Sequence, residues 1–147
     1  MRIAIQRVDP SLPLPTYNSP GAVGFDLVTR ETTVIEPGAI GLVPGNVIVA
    51  VPEGTLLMIT PRSSLPRRRK LICPHSVGII DHDYHGEKDE ILVQVQNIGN
   101  EPVTVERGER IAQGIFLRIE KAEWEEVSSH GKPTRGGFGS TGVGPQG

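Results

Sequence analysis

Along most of the chain, apolar and polar residues alternate with a period of two, the spacing of a strand that buries one face. The opening "RIAIQRV" reads this way, as do parts of "GNVIVAVP" and "EILVQVQN". "TLLMIT" and "RIAQGIF" are short and β-rich, which suits buried strands. Between these runs, "PGA", "PEG", "IGNEP" and "ERGER" carry the glycine, proline and asparagine of turns. Short strands punctuated this often predict an all-β sandwich or jelly roll. One stretch breaks the period. Ser64–Lys70, "SLPRRRK", predicts a short helix with Ser64 as its cap and Pro66 in its first turn, where a missing N–H costs little. "AEWEEV", inside Glu120–Val127, fits either a second helix or a final strand.

Near the end the pattern stops. "SSHGKPTRGGFGSTGVGPQG" holds seven glycines in twenty residues, with Phe138 as its one aromatic. Such a segment has no material for a core. The chain therefore divides into a β domain over residues 1–129 and a flexible glycine-rich tail over 130–147.

Composition narrows the picture. A length of 147 residues suits one domain. Aromatics make up only 4%, so the core must be aliphatic. A net charge of -2 weighs against a general nucleic-acid or membrane-surface binder. "PRRRK" (Pro66–Lys70) then reads as a solvated helix face more than as a nucleic-acid or nuclear-import patch. Cys73 is the single cysteine, so no intrachain disulfide is available, and a small buried residue is expected. The opening residues lack the apolar run of a signal peptide, and no stretch approaches the ~18 apolar residues of a membrane span. A soluble intracellular protein, cytoplasmic and without a membrane partner, is expected.

Four stretches carry candidate chemistry. "TPRSSL" (Thr60–Leu65) places Arg62, Ser63 and Ser64 at a strand-to-helix junction, which suits phosphate but equally an ordinary helix cap. Asp26, in "GAVGFDL", is either a holder of metal-bound water or a solvated turn residue. Gln113 is the polar exception in "GERIAQGIF", facing either solvent or a polar site at the sheet edge. "GIIDHDYHGE" (Gly78–Glu87) sets Asp81, Asp83 and Tyr84 after Ile79 and Ile80. That pattern fits a general base reaching an attacking water, or an Asp-rich turn. In the tail, "RGGFGSTG" offers backbone N–H groups and Arg135 to an anion, with Phe138 able to stack on a flat ring.

Taken in order, "GAVGFDL", "PRSSL", "VGIIDHDYHGE", "RGERIAQ" and "RGGFGSTG" resemble the five motifs of the trimeric deoxyuridine triphosphate nucleotidohydrolases, the dUTPases. The resemblance runs from "LPLPTYNSPG" to the tail. It implies a jelly-roll-like homotrimer that hydrolyses dUTP to dUMP and pyrophosphate with magnesium. Each site would take the first, second and fourth motifs from one chain, the third from a neighbour and the tail from the remaining copy. By this resemblance Asp81 is the water-activating base. Arg62, Ser63 and Ser64 hold phosphates, while Asp26 and Gln113 orient the waters on magnesium. His75, Val77, Gly78, Ile79 and Ile80 line the uracil-reading hairpin, and Tyr84 packs under the deoxyribose. Phe138 stacks on uracil, and Arg135, Gly139, Ser140 and Thr141 clamp the terminal phosphate.

The sequence departs from the family pattern in places. His75 replaces a frequent Asn and His85 a frequent Arg. Lys88–Glu90 reads as a short insertion that lengthens the turn. Arg135 stands closer to Phe138 than usual, which leaves Lys132 as an alternative cation for the phosphate. Deoxycytidine triphosphate deaminases share the fold and an "RSS" motif, but they need a glutamate on the strand after the third motif. Here that strand offers Gln94 and Gln96, whose neutral amides cannot accept the proton.

Overall fold

The computed structural model describes residues 1–137. Eleven strands and one helix follow in the order β1 (Ile5–Arg7), β2 (Phe25–Leu27), β3 (Thr33–Ile35), β4 (Ile40–Pro44), β5 (Val47–Val49), β6 (Thr55–Pro61), α1 (Leu65–Arg69), β7 (Leu71–Ile72), β8 (Gly78–Ile80), β9 (Leu92–Asn97), β10 (Val103–Val105) and β11 (Ala112–Arg118). Every strand pairing is antiparallel. A four-stranded sheet has the order β2-β11-β6-β8, and a three-stranded sheet the order β4-β9-β7. Two ribbons, β1-β5 and β10-β3, complete an all-β, jelly-roll-like body. No helix among the described residues is long and apolar enough to cross a membrane.

The core is aliphatic, as the scarcity of aromatics requires. Leu57 and Ile59 of β6, Val43 of β4, Val93 and Val95 of β9, and Ile35 and Val105 of the β10-β3 ribbon join one buried cluster. Phe25 is its aromatic member, and the edge of its ring packs against Gly114. A Cβ on Gly114 would stand 2.5 Å from Phe25 Cζ.

Where the chain buries a polar residue, its partners are complete. Asn97 is fully buried. Its Nδ2 donates to Ile35 O at 2.9 Å and to Glu101 O at 2.8 Å, and its Oδ1 accepts from the Gly99 N–H at 2.8 Å. Asn97→Leu keeps the size but leaves those three backbone groups without partners. The expected cost is about 3 kcal/mol, read as a melting temperature lower by roughly 10 °C.

Three expectations change. Helix α1 ends at Arg69, and Ser64 makes no side-chain capping bond because its own backbone is already helical, at φ -84° and ψ -13°. The turn closes instead through Lys70 in the left-handed region (φ 54°), whose N–H reaches Pro66 O. "AEWEEV" forms neither helix nor strand, residues 121–137 are exposed throughout, and Trp124 stands 94% exposed. Cys73 is half-buried, with Sγ 3.7 Å from His75 Nδ1. Burial pushes its thiol above the ordinary value, so it stays protonated and unreactive at neutral pH.

Candidate active site

The register of the four-stranded sheet brings three distant stretches together. Gln113 pairs with Asp26 on one side and with Thr60 on the other. Directly opposed residues share a face with Cβ atoms about 5 Å apart, so these side chains form a polar row across β2, β11 and β6. Asp26 is buried between Phe25 and Leu27. Its Oδ2 accepts from Asn18 Nδ2 at 2.6 Å and faces Arg110 Nη1 at 3.5 Å. Its Oδ1 faces Arg62 Nε at 3.5 Å. One carboxylate thus balances two guanidinium groups, and the buried charge is compensated.

The surplus is positive and turns outward. Arg62, Ser64, Arg68, Arg69 and Arg110 line a surface pocket beside Gly108. Arg69 is spent on Glu109 at 2.7 Å and on Thr104 O. Arg62 also reaches Arg110 O at 3.4 Å, yet its side chain stays 40% exposed. Its backbone is fixed by Arg62 N–H to Ile111 O and by Leu65 N–H to Arg62 O, both at 2.9 Å. A forked donor held at a pocket rim suits a phosphate oxygen. Ser63 is exposed beside it, and Ser64, relieved of capping, keeps its hydroxyl for a ligand.

Gln113 owes its place to Gly24. A Cβ at position 24 would stand 2.7 Å from Gln113 Oε1. Because that atom ends a flexible side chain, Gly24→Ala should fold normally and push the amide aside. We expect melting within about 2 °C of wild type and a loss of about 10–100-fold in kcat/KM for the site's substrate.

The third stretch lies elsewhere in the same chain. β8 pairs antiparallel to β6, with Gly78 opposite Ile59, Ile79 opposite Met58 and Ile80 opposite Leu57. Asp81 therefore continues toward Leu56, away from Arg62. Six residues of strand separate those ends, or about 20 Å. Within one chain Asp26, Arg62, Ser63, Ser64 and Gln113 gather at one end of the sheet, and Asp81 and Tyr84 lie at the other. His75 and Val77 lead into β8 from the Arg62 end, since they precede the Gly78–Ile59 pair. His75 is exposed, with Nδ1 3.4 Å from Gln94 Nε2. His82 Nδ1–H donates to Val51 O at 2.7 Å and pins the chain just past Asp81. Arg135 and Lys132 lie in the exposed stretch 121–137. Phe138, Gly139, Ser140 and Thr141 lie outside the described residues.

Sequence reading missed Asn18 and Arg110, which complete the shell of Asp26. Arg110 sits inside the quoted "RGERIAQ", three residues before Gln113. Asn18 has no periodic or motif signal of its own, since its role depends on the Thr16–Asp26 bridge that folds the loop back onto β2. Arg30 and Glu90 were missed as a pair, 60 residues apart.

The chain is similar to known proteins over most of its length. The family profile described as dUTPase matches residues 11–142. The chain is 40% identical over 147 residues to a deoxyuridine 5'-triphosphate nucleotidohydrolase of Thermobifida fusca, covering 97% of this chain and 79% of that one. It resembles the crystal structure of the dUTPase from Streptococcus mutans with a TM-score of 0.75 and 33% identity, over 82% of this chain and 98% of that one. A Staphylococcus bacteriophage 80alpha dUTPase with dUPNHPP shares the fold at 24% identity and a TM-score of 0.84, over 97% and 99% of the two chains. With a family match over residues 11–142 and a relative 40% identical over 97% of the chain, the chain belongs to the dUTPase family.

Proposed function

We propose that this chain hydrolyses dUTP to dUMP and pyrophosphate, limiting uracil in DNA and supplying dUMP for thymidylate synthesis, at a site assembled from several copies in a homotrimer. The observation that carries the reading is the buried Asp26 carboxylate set between Arg62 and Arg110, beside Gln113. That corner suits anions and offers oxygen acceptors, while its carboxylates, Asp26 and Glu109, each face arginine. Asp81 serves as the base, and its separation from Arg62, about 20 Å along the strand, supports its supply by a second copy. Exposed apolar residues on an outer face shared with Gln94 and Gln96 suit such an assembly. Ile40, Leu42 and Leu92 alternate with the core residues of β4 and β9 and are 56%, 53% and 44% exposed.

Arg62, Ser63 and Ser64 take the phosphates. The hairpin backbone from Val77 to Ile80 reads the uracil edge, with His75 beside it and Tyr84 under the sugar. Asp81 removes a proton from the water that attacks the α-phosphorus, and pyrophosphate leaves. The donor set fits an ion that keeps its own waters. Asp26 retains lone pairs after its Asn18 bond, and Gln113 adds a neighbouring amide oxygen. Magnesium, when bound, spreads the triphosphate charge and fixes its geometry. Residues 130–147 serve as the tail that closes over the site, with Arg135 or Lys132, Phe138, Gly139, Ser140 and Thr141 as its contacts.

The test is pyrophosphate release from dUTP, dTTP, dCTP and UTP, with and without a chelator. Release from dUTP in strong preference, lost with the chelator and restored by magnesium, is the expected result. Ammonia release from dCTP, or nucleotide binding without turnover, would overturn the reading.

A further inference from the structure

The hairpin from Asp81 to Glu90 has no strand ladder, yet both its ends are tied down. His82 holds the first end through Val51 O. Glu90 holds the second. Its Oε1 accepts from Arg30 Nε at 2.8 Å and from the Asn46 N–H at 2.9 Å, and its Oε2 accepts from Arg30 Nη2 at 2.9 Å. The pair is largely removed from water, with side chains 24% and 12% exposed. Asn46 is itself buried in the left-handed region (φ 65°) and exchanges bonds with the Asp9 backbone. The next residue, Ile91, donates to Val47 O at 2.9 Å and accepts from the Gly45 N–H at 2.8 Å. The hairpin's second leg is therefore seated on the loop that joins two core strands.

Tyr84 spans this hairpin. Its N–H donates to Asp81 O and its phenol to Glu90 O, both at 3.3 Å. The ring therefore hangs from the carbonyl of the residue that the Arg30 fork fixes. At the tip, Gly86 N–H reaches Asp89 Oδ2 at 2.7 Å, which keeps the longer turn compact.

We infer that the Arg30–Glu90 fork is the positioning device for Tyr84, setting the ring at the height that admits deoxyribose and excludes a 2'-hydroxyl. The inference rests on the proposed dUTP reaction and adds to it a source for sugar selectivity. Glu90 lies in the Lys88–Glu90 stretch that lengthens the hairpin. A longer loop costs more to close and wanders further unless it is anchored. A bidentate, charge-assisted pair supplies an anchor with direction as well as strength. Removing one partner strands a half-buried charge, and lysine cannot reproduce the guanidinium fork. Glu31 also contacts Arg30, but it is 57% exposed and holds nothing of the hairpin.

The test uses the full chain and measures kcat and KM for dUTP and UTP together with melting temperature. Glu90→Gln should raise KM for dUTP about tenfold, change kcat by less than about threefold and lower the dUTP-over-UTP preference at least about tenfold. Arg30→Lys should fall between wild type and Glu90→Gln. The double variant Arg30→Met/Glu90→Gln should be no less selective than Glu90→Gln alone, because both changes break one interaction. If Glu90→Gln does not fold, Arg30→Lys decides the matter by the same ratio. Lower melting with unchanged sugar preference would make the pair merely structural and overturn the inference. A wild-type protein without dUTP turnover would remove the underlying reading, and that is seen before any variant is compared.

Discussion

Asp81→Asn should lower kcat for dUTP by about 10²–10⁴-fold, the usual cost of losing a general base. The substitution is close to isosteric, and Asp81 is exposed, so no buried group loses a partner. The local backbone survives it. Tyr84 N–H bonds the Asp81 carbonyl, not the carboxylate, and His82 holds Val51 O independently. Binding should therefore persist, with KM within about threefold of wild type. Steady-state kinetics and calorimetric binding of a non-hydrolysable analogue separate the two effects. Turnover near that of wild type, with binding unchanged, would take the base assignment away from Asp81.

Arg62→Gln should cost about 10²–10³-fold in kcat/KM. Arg62 is the charged donor whose main chain, guanidinium and carboxylate partner are all fixed before any ligand arrives. Preorganised charge of this kind acts most where charge moves, on the oxygens of the leaving pyrophosphate. Asp26 keeps Arg110 and Asn18 in the variant, so the fold should lose no more than about 1–2 kcal/mol. A loss below about threefold would place the phosphates elsewhere, with Arg68 and Arg110 of the same pocket as the next candidates.

Much of the fold was legible because the strands obey a simple period. The alternation in "EILVQVQN" became β9, where Val93 and Val95 turn inward, and the "TLLMIT" run became all of β6 but its last residue. Turn residues marked the breaks correctly, since Gly38, Gly54 and Gly108 each adopt positive φ. What the pattern could not carry was pairing at long range. Nothing local says that Gln113 meets Asp26, or that Arg30 meets Glu90, because register is set by the whole sheet. The cap assigned to Ser64 failed for a related reason. Its backbone is already helical, which leaves the hydroxyl at the pocket rim. "AEWEEV" is half glutamate and pairs with no strand edge among the described residues, and Trp124 stands exposed. The motifs identified the chemistry. The structure then separated them, putting Asp81 at one end of a sheet and Arg62, Ser63 and Ser64 at the other.

That separation can be tested directly by mixing. Asp81→Asn chains and Arg62→Gln chains are each nearly inactive alone, and each carries what the other lacks. Refolded together at equal amounts into mixed trimers, about one quarter of the sites would combine an intact Asp81 from one copy with an intact Arg62 from another. The expected result is recovery of roughly that fraction of wild-type dUTP turnover, with mixed assembly verified by mass. Mixed trimers that form and show no more activity than the sum of their parents would contradict a site shared between copies.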